Sequence, residues 1–368
     1  TGDLTVTGAA ALNDTLAVTK AATLSSTLAV DGAADITGDV TITGATALND
    51  TLAVTKAATL SSTLDVTGAA DITGDVTITG ATALNDTLAV TKAATLSSTL
   101  AVSGAADITG DVTITGATAL NDTLAVTKAA TLSSTLAVSG AADITGDLTL
   151  TGAAALNDSL TVTKAATLNS TLTVVGATDL SGDLSVTGAT ALTDTLTVTK
   201  AAIMNSTLAV SGATNLTGDL TLTGAASMTS TLSVTRAATM GSTLDVTGDT
   251  KITGDLTVTG SAALNDSLTV TKAAAMSSTL DVTGDLTLTG AAALNSTLAV
   301  TKAATMSSTL DVTGDFTLTG AAALNDTLTV TKSATMSSTL DVTGDFTLTG
   351  AAALNDTLTV TKAATMSS

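Results

Sequence analysis

Residues 2–37 read GDLTVT GAAALN DTLAVT KAATLS STLAVD GAADIT, and the same series then begins again. The landmarks of the chain therefore return on a six-residue grid. One hexad type carries apolar residues at its third and fifth places, as Leu4 and Val6 do. The other carries Ala at its second place and Leu, Ile or Met at its fifth, as Ala9 and Leu12 do. Self-similarity at a short fixed period is typical of stacked repeats, so the sequence predicts one long rod.

The composition favours strands over helices and a narrow core over a globular one. The 368 residues include no Pro, Cys, His, Trp or Tyr and only two Phe, so aromatic side chains contribute little buried area. All 32 acidic residues are Asp, and neither Glu nor Gln occurs. Asp favours turns because its short side chain bonds nearby backbone, whereas Glu is a helix former. We therefore predict an all-β chain.

Charge and hydropathy exclude several classes of partner. The formal net charge of −20 disfavours binding to nucleic acid or to anionic membrane surfaces. No apolar run reaches 18 residues, so no membrane insertion is expected. The chain opens at Thr1 without Met and stops one residue into a new hexad at Ser368. We therefore expect a window of a longer protein, and the absence of Cys leaves its redox compartment open.

The hexads group into longer repeats of two lengths. Seven copies of a 36-residue unit fill residues 2–253, and the copies at 74–109 and 110–145 are identical. From Gly254 the period shortens to 30 residues because one hexad of the GAADIT type is missing. We predict a shaft of 36-residue repeats over 1–253 that continues as a shaft of 30-residue repeats over 254–368. Because a whole hexad can be lost, the hexad is expected to be the structural unit.

Each hexad has the pattern of a short strand followed by a bend. In GDLTVT, apolar and polar residues alternate with a period of two, as in a strand with one buried face. Six residues hold a strand of about four and a bend, roughly 13 Å long. Gly at hexad starts, as at Gly8 and Gly38, predicts tight bends or a positive φ. Pairs such as Asn13–Asp14 are typical of turns at the other junctions.

Two architectures can bury such strands. One is a single-chain β-solenoid with three hexads per coil, and the other is an intertwined homotrimer in which each chain supplies one hexad to every layer. We favour the trimer, because it would alternate layers of large and small side chains and fill a narrow core. With strands stacked at about 4.8 Å, the chain would span roughly 100 Å as a solenoid and roughly 300 Å as a trimer.

The strings TGATALNDTLAVTKAATLSSTL and TGDLTLTGAAALNDTLTVTK resemble the Thr/Ala/Gly-rich shaft repeats of bacteriophage tail fibres. They are also similar to repeats in fibrous surface proteins of bacteria. The resemblance covers the whole chain. It implies a homotrimeric spacer with a receptor-binding tip at one end and an anchor at the other. Neither end is present in this sequence, so the resemblance assigns no binding residues.

A repeated Asp-x-Thr-Gly-Asp pattern suggests a metal site. Carboxylates repeated along one edge are suitable ligands for Ca²⁺, which prefers six to eight oxygens. The alternative is that these Asp side chains cap bends by accepting backbone N–H bonds, and we favour it because the paired glycines of calcium-binding β-rolls are absent. The calcium candidates are Asp35, Asp39, Asp71, Asp75, Asp107, Asp111, Asp143 and Asp147.

Two further side-chain series have a binding interpretation and a structural one. Lys20 recurs every 36 residues and could form a basic stripe for a sugar acid or phosphate. We favour a role in offsetting Asp and protecting strand edges. Thr-x-Thr, as at Thr77 and Thr79, forms water-ordering ladders in ice-binding solenoids. Thr is also common on exposed strands, and because the motif is irregular between hexads we favour that explanation.

Catalysis has little support in this sequence, and we predict no enzyme. His and Cys are absent, and each Asp pair has many near-identical copies where a catalytic pair would be unique. The predicted function is an extracellular fibre shaft that spaces an adhesive tip from a virion or bacterial cell surface. The alternative is a repeat adhesin whose Asp or Thr ladder itself binds calcium, a glycan or another surface.

The expected partners follow from the shaft prediction. They are further copies of the chain in a homotrimer, tip and anchor domains outside this window, and a cell-surface receptor or glycan. No cofactor is expected other than calcium, should the Asp pairs bind it.

Overall fold

The computed structural model describes residues 2–367, and within them the chain forms 61 β-strands and no helix. Each strand is three residues long and begins six residues after the one before it. Strand βn therefore spans residues 6n − 2 to 6n, from β1 at Leu4–Val6 to β61 at Ala364–Met366. The prediction of an all-β array of hexapeptide strands is confirmed. Thr1 and Ser368, on which the expectation of a longer protein rests, lie outside the described residues.

The chain divides into two compact units, Thr1–Gly182 and Asp183–Ser368. Within each unit, strands pair in parallel with the strand three positions further along. For example, β16 pairs with β19, with Ala94 opposite Val112. Partners are thus 18 residues apart, three hexads make one coil, and each unit is a single-chain β-solenoid. The change of repeat length at 253/254 lies inside the second unit, where β40 and β43 keep the same register.

Each coil contributes one strand to each of three parallel sheets, which we call faces A, B and C. In the first unit, face A is formed by β1 and every third strand after it, face B by the series from β2 and face C by the series from β3; in the second unit the corresponding series start from β31, β32 and β33. Backbone bonds join successive coils on all three faces. On face A, Ala94 N–H donates to Asp111 O at 2.9 Å, and Thr115 N–H donates to Leu96 O at 2.9 Å.

The core is formed by the first and third residues of each strand. In the coil from β16 to β18, the side chains of Ala94, Leu96, Leu100, Val102, Ala106 and Ile108 are all buried. Large and small residues therefore mix within one coil, as expected for the solenoid. In both hexad types the inward places are the third and fifth, because the strand occupies places three to five. The second-place Ala of hexads such as 92–97 is only half-buried.

Glycine at the bends is required by a close approach between coils. None of residues 2–367 outside glycine has a positive φ, nor has any described glycine, so the expectation of positive φ is wrong. Gly110 N–H donates to Lys92 O at 3.0 Å, and a Cβ on Gly110 would collide with the carbonyl carbon and oxygen of Lys92. A Cβ on Gly104 would lie 2.9 Å from the carbonyl carbon of Asp86. A side chain at either of these two bend positions would therefore overlap the backbone of the preceding coil.

Both repeat lengths place each glycine over a larger residue of the preceding coil. A 36-residue repeat is two coils, one with Asp86, Lys92 and Ser98 at its bends and the next with three glycines. A 30-residue repeat is five hexads, so successive copies begin on different faces, but each glycine still stacks on a larger residue. Gly284 stacks on Asp266, and Gly290 on Lys272. The hexad is thus the structural unit, as predicted, and losing one rotates later repeats by one face.

The pairing described here is intramolecular, which corresponds to the solenoid alternative. Association of three chains stays a prediction, because a single chain does not test it.

Candidate functional surfaces

The middle residue of each strand points outward, so each face displays one row of middle residues along the stack. We call these the centre rows of faces A, B and C. One 36-residue repeat is two coils, so the same two hexads alternate along each face of the first unit. Each face of that unit therefore has its own composition. The centre row of face A is entirely threonine in that unit: Thr5, Thr23, Thr41, Thr59, Thr77, Thr95, Thr113, Thr131, Thr149 and Thr167.

The centre row of face B in the first unit is almost entirely alanine. Asp65 and Thr173 are its two exceptions among the described residues. The alanines of the row are Ala11, Ala29, Ala47, Ala83, Ala101, Ala119, Ala137 and Ala155. Face B of this unit therefore has mostly short side chains in its centre row, and one of them is charged.

The centre row of face C alternates small and acidic residues and contains half of the calcium candidates. Asp35, Asp71, Asp107 and Asp143 are exposed there, each separated from the next by an alanine. Neighbouring carboxylates in the row are two coils apart, about 9.6 Å. Oxygens that share one Ca²⁺ lie within about 5 Å of each other, so neighbours in this row do not share an ion.

The other four calcium candidates cap bends. Asp39, Asp75, Asp111 and Asp147 each accept, through Oδ1, the backbone N–H of the residue 18 positions later, at 3.0 to 3.1 Å. Each carboxylate thereby links two successive coils at the corner between faces C and A. The bend-capping role is therefore confirmed for these four. It is wrong for the other four candidates, because Asp35, Asp71, Asp107 and Asp143 are the middle residues of strands and lie outside the bends. Among residues 2–367, no three acidic side chains come together in a way that could hold a metal ion.

The lysine series lies at the same corner. Lys92 and Lys128 alternate with Gly74, Gly110 and Gly146 along the stack, so one lysine projects from every second coil. Asp111 and Lys128 both line one shallow depression of this edge. Acidic and basic residues thus alternate along the corner, as expected if lysine offsets neighbouring Asp. A binding role of this edge stays a prediction.

In the second unit the faces lose their separate compositions. The centre row of face A there includes Ser185, Ile203, Ala275 and Asp311 beside threonine. The 30-residue repeats cause much of this mixing, because they place equivalent residues on different faces. Asp281, Asp311 and Asp341, for example, lie on faces B, A and C.

Seven threonines at the first inward place of a strand are buried, which was not predicted from the sequence. Their side chains are at most 1% exposed, and within the described structure their hydroxyls have no hydrogen-bond partner. These threonines occupy the third place of their hexads, where related hexads have Ala, and this position was the sign in the sequence that they would be buried. The seven are Thr46, Thr82, Thr118, Thr178, Thr190, Thr214 and Thr250.

The comparisons with known proteins give no relative. No protein-family model, curated protein or solved structure matches the chain. In the part of the chain that the structure describes, no helix is long and apolar enough to cross a membrane.

Proposed function

We propose that this chain is a segment of an extracellular fibre shaft, which spaces an adhesive or receptor-binding tip from a virion or a bacterial cell surface. The observation that carries the proposal is that one 36-residue repeat equals two whole coils. Adding or removing a repeat therefore changes length and leaves every face and bend in register. The resemblance to tail-fibre shafts supports the same function, and the homotrimer belongs to this proposal.

Uniformity along the stack also favours a mechanical role. Residues 74–109 and 110–145 are identical, so their coils present the same side chains. A catalytic centre, or a pocket for one small ligand, needs a local departure from the repeat, where charges or hydrogen-bond donors converge. Under this proposal affinity resides in a tip, and the shaft supplies reach.

The deletion of residues 74–109 tests the proposal. Cysteines replace Ala29 and Ala155, which are exposed on face B of the first unit, in a chain that has no other cysteine. Spin labels on them should lie about 34 Å apart in the full chain, since seven coils separate the positions. The deletion should reduce this distance by about 10 Å and leave the urea midpoint unchanged. Unfolding of the shortened chain, or an unchanged distance, would contradict a modular spacer.

The alternative function is an adhesin that binds through its repeated side chains. It predicts that avidity falls with each repeat removed, because the contacts act together. One observation favours this alternative: the three faces of the first unit differ from one another in composition.

A further inference from the structure

The threonine row of face A in the first unit is continuous and in register. Strand pairing places Thr77 directly opposite Thr95, and Thr95 opposite Thr113. The same pairing holds from Thr5 to Thr167, so ten threonines follow one another at about 4.8 Å. Thr149 is half-buried and the other nine are exposed.

A second row of polar side chains runs beside the first. It consists of the residue two places after each threonine, which is the first residue of the bend that follows the strand. Thr and Ser alternate in this row, and a single Asn ends it. The row contains Thr7, Ser25, Thr43, Ser61, Thr79, Ser97, Thr115, Ser133, Thr151 and Asn169, all exposed.

Strand propensity does not explain the threonine row. Thr is a good strand former and Ala a poor one, so propensity alone would put Thr on every face. Face B instead has Ala at the structurally equivalent position in the same coils, as at Ala101 and Ala119 beside Thr95 and Thr113. The choice of residue is therefore specific to the face.

The two hexads that alternate on face A point to the same conclusion. Residues 74–79 read GDVTIT and residues 92–97 read KAATLS. Only the outward threonine is common to both. The inward residues, the bend residues and the charges all differ between the two hexads. Face B behaves in the same way, since residues 80–85 and 98–103 have only their outward Ala in common. The outward residue is thus kept separately on each of these two faces, as Thr on face A and Ala on face B.

The spacing of the row matches the spacing of oxygens in crystalline water. Tetrahedral water with hydrogen bonds of about 2.75 Å places second-neighbour oxygens about 4.5 Å apart. Successive threonines at about 4.8 Å therefore lie within roughly 7 % of this repeat. The restricted χ1 rotamers of Thr hold its hydroxyl and methyl groups in a repeating orientation. No residue of the row is charged, although the chain has a net charge of −20.

We propose that face A of the first unit is an ice-binding surface, whose partner is the ordered water lattice of an ice crystal. Each threonine contributes little by itself, because the entropy lost on ordering a bridging water offsets much of the hydrogen bond that the water makes. Ten rungs on one body bind together, so affinity depends on an unbroken row. This inference goes beyond the proposed spacer and does not depend on it.

The irregularity of Thr-x-Thr along the chain does not count against this proposal. Successive hexads lie on three different faces, so a motif that is irregular along the sequence is regular along one face.

The first test places charge in the row. The full chain carrying Thr95→Lys and Thr113→Lys is compared with the full chain carrying Ala101→Lys and Ala119→Lys, which alters face B of the same two coils. We expect unaltered protein to shape ice crystals and to depress their growth temperature below their melting temperature. The face A variant should lose more than about half of this gap at equal concentration, and the face B variant should retain it.

The second test breaks the row without changing any side chain that remains. Deletion of residues 104–109 removes one hexad and rotates later coils by one face, which splits ten rungs into six on face A and four on face C. Deletion of 74–109 removes more residues but leaves eight rungs in one row. The shorter chain is therefore expected to be the more active of the two.

Three results would overturn the proposal. They are an unaltered protein without ice activity, an equal loss in the face A and face B lysine variants, and equal activity of the two deletion variants. A change in solution mass of the face A variant would overturn it as well, because it would assign this face to contacts between copies of the chain. Circular dichroism and urea midpoints are the control that each variant remains folded.

Discussion

At the scale of single residues, burial and close approach decide which substitutions the solenoid tolerates. Thr118 sits in the core of face B between Leu100 and Leu136, and its hydroxyl has no hydrogen-bond partner in the described structure. An unsatisfied buried hydroxyl costs about 1–3 kcal/mol. Thr and Val have nearly the same shape, so Thr118 fills this place in the core by its volume and its hydroxyl adds no stability.

Replacing Thr118 by Val should stabilise the protein by about 1 kcal/mol, because the methyl group fills the same space without an unsatisfied oxygen. Urea unfolding followed by circular dichroism measures the change. Thr113→Val, on the exposed side of the neighbouring strand, is the matched control and should change stability by less than about 0.5 kcal/mol. A destabilised Thr118→Val protein would mean that the buried hydroxyl has a partner.

Gly110→Ala should destabilise the protein by about 1–3 kcal/mol, because the new Cβ overlaps the Lys92 carbonyl and the two coils must separate. Gly8 is the matched control, since a Cβ there meets no atom within 4 Å. Gly8→Ala should be neutral or slightly stabilising. Comparison of the two urea midpoints tests the explanation, and equal midpoints would show that close approach does not select glycine.

At the scale of the element, the strand and its bend form one exchangeable module. Each hexad closes one side of a coil, so the natural change from 36 to 30 residues alters which face a repeat begins on and preserves strand pairing across 253/254. The bends limit such changes, because a glycine must stack on a larger residue.

Deletion of the hexad 104–109 should therefore be tolerated. Gly110 would then stack on Asp86 and Gly116 on Lys92, which reproduces the order found in the 30-residue repeats. Deletion of 106–109 removes four residues, shifts later strands out of the six-residue grid and should lower the cooperativity of unfolding. Thermal unfolding of both variants measures this, and similar curves would show that the hexad is not the module.

At the scale of the whole molecule, the pairing partner of each hexad sets how far the chain extends. In the solenoid, residues 29 and 155 are seven coils apart, about 34 Å, whereas an intertwined trimer would separate them by about 100 Å. Spin-label distances in the full chain distinguish these values, with labelled chains diluted into unlabelled ones. Solution mass supplies an independent measure of association.

We expect the full chain to show the shorter distance, since every pairing of the described strands within each unit joins residues of one chain 18 positions apart. A solution mass of three chains together with this distance would indicate a trimer of solenoids. The longer distance would instead establish the intertwined trimer that the sequence analysis favoured.

The sequence by itself determined the local structure of this protein. Alternation of inward and outward residues, as in Leu4-Thr5-Val6, is a property of a single strand, and Gly or Asp at hexad starts marks the bends. The bend-capping role of Asp111 follows from the same local chemistry. These features do not depend on which hexads are neighbours in space, so they were predictable.

The tertiary structure alone decided which hexads stack. Three hexads close a coil, so residues 18 apart become neighbours, and this spacing follows from packing of the inner side chains and from clashes at bends such as Gly110. Larger residues and glycines do alternate at spacing 18 in the sequence, but that pattern has meaning only once the coil is known. Because the coil takes three hexads and the repeat takes six, Thr95 and Thr113 align on one face, while Ala101 and Asp107 belong to the other two.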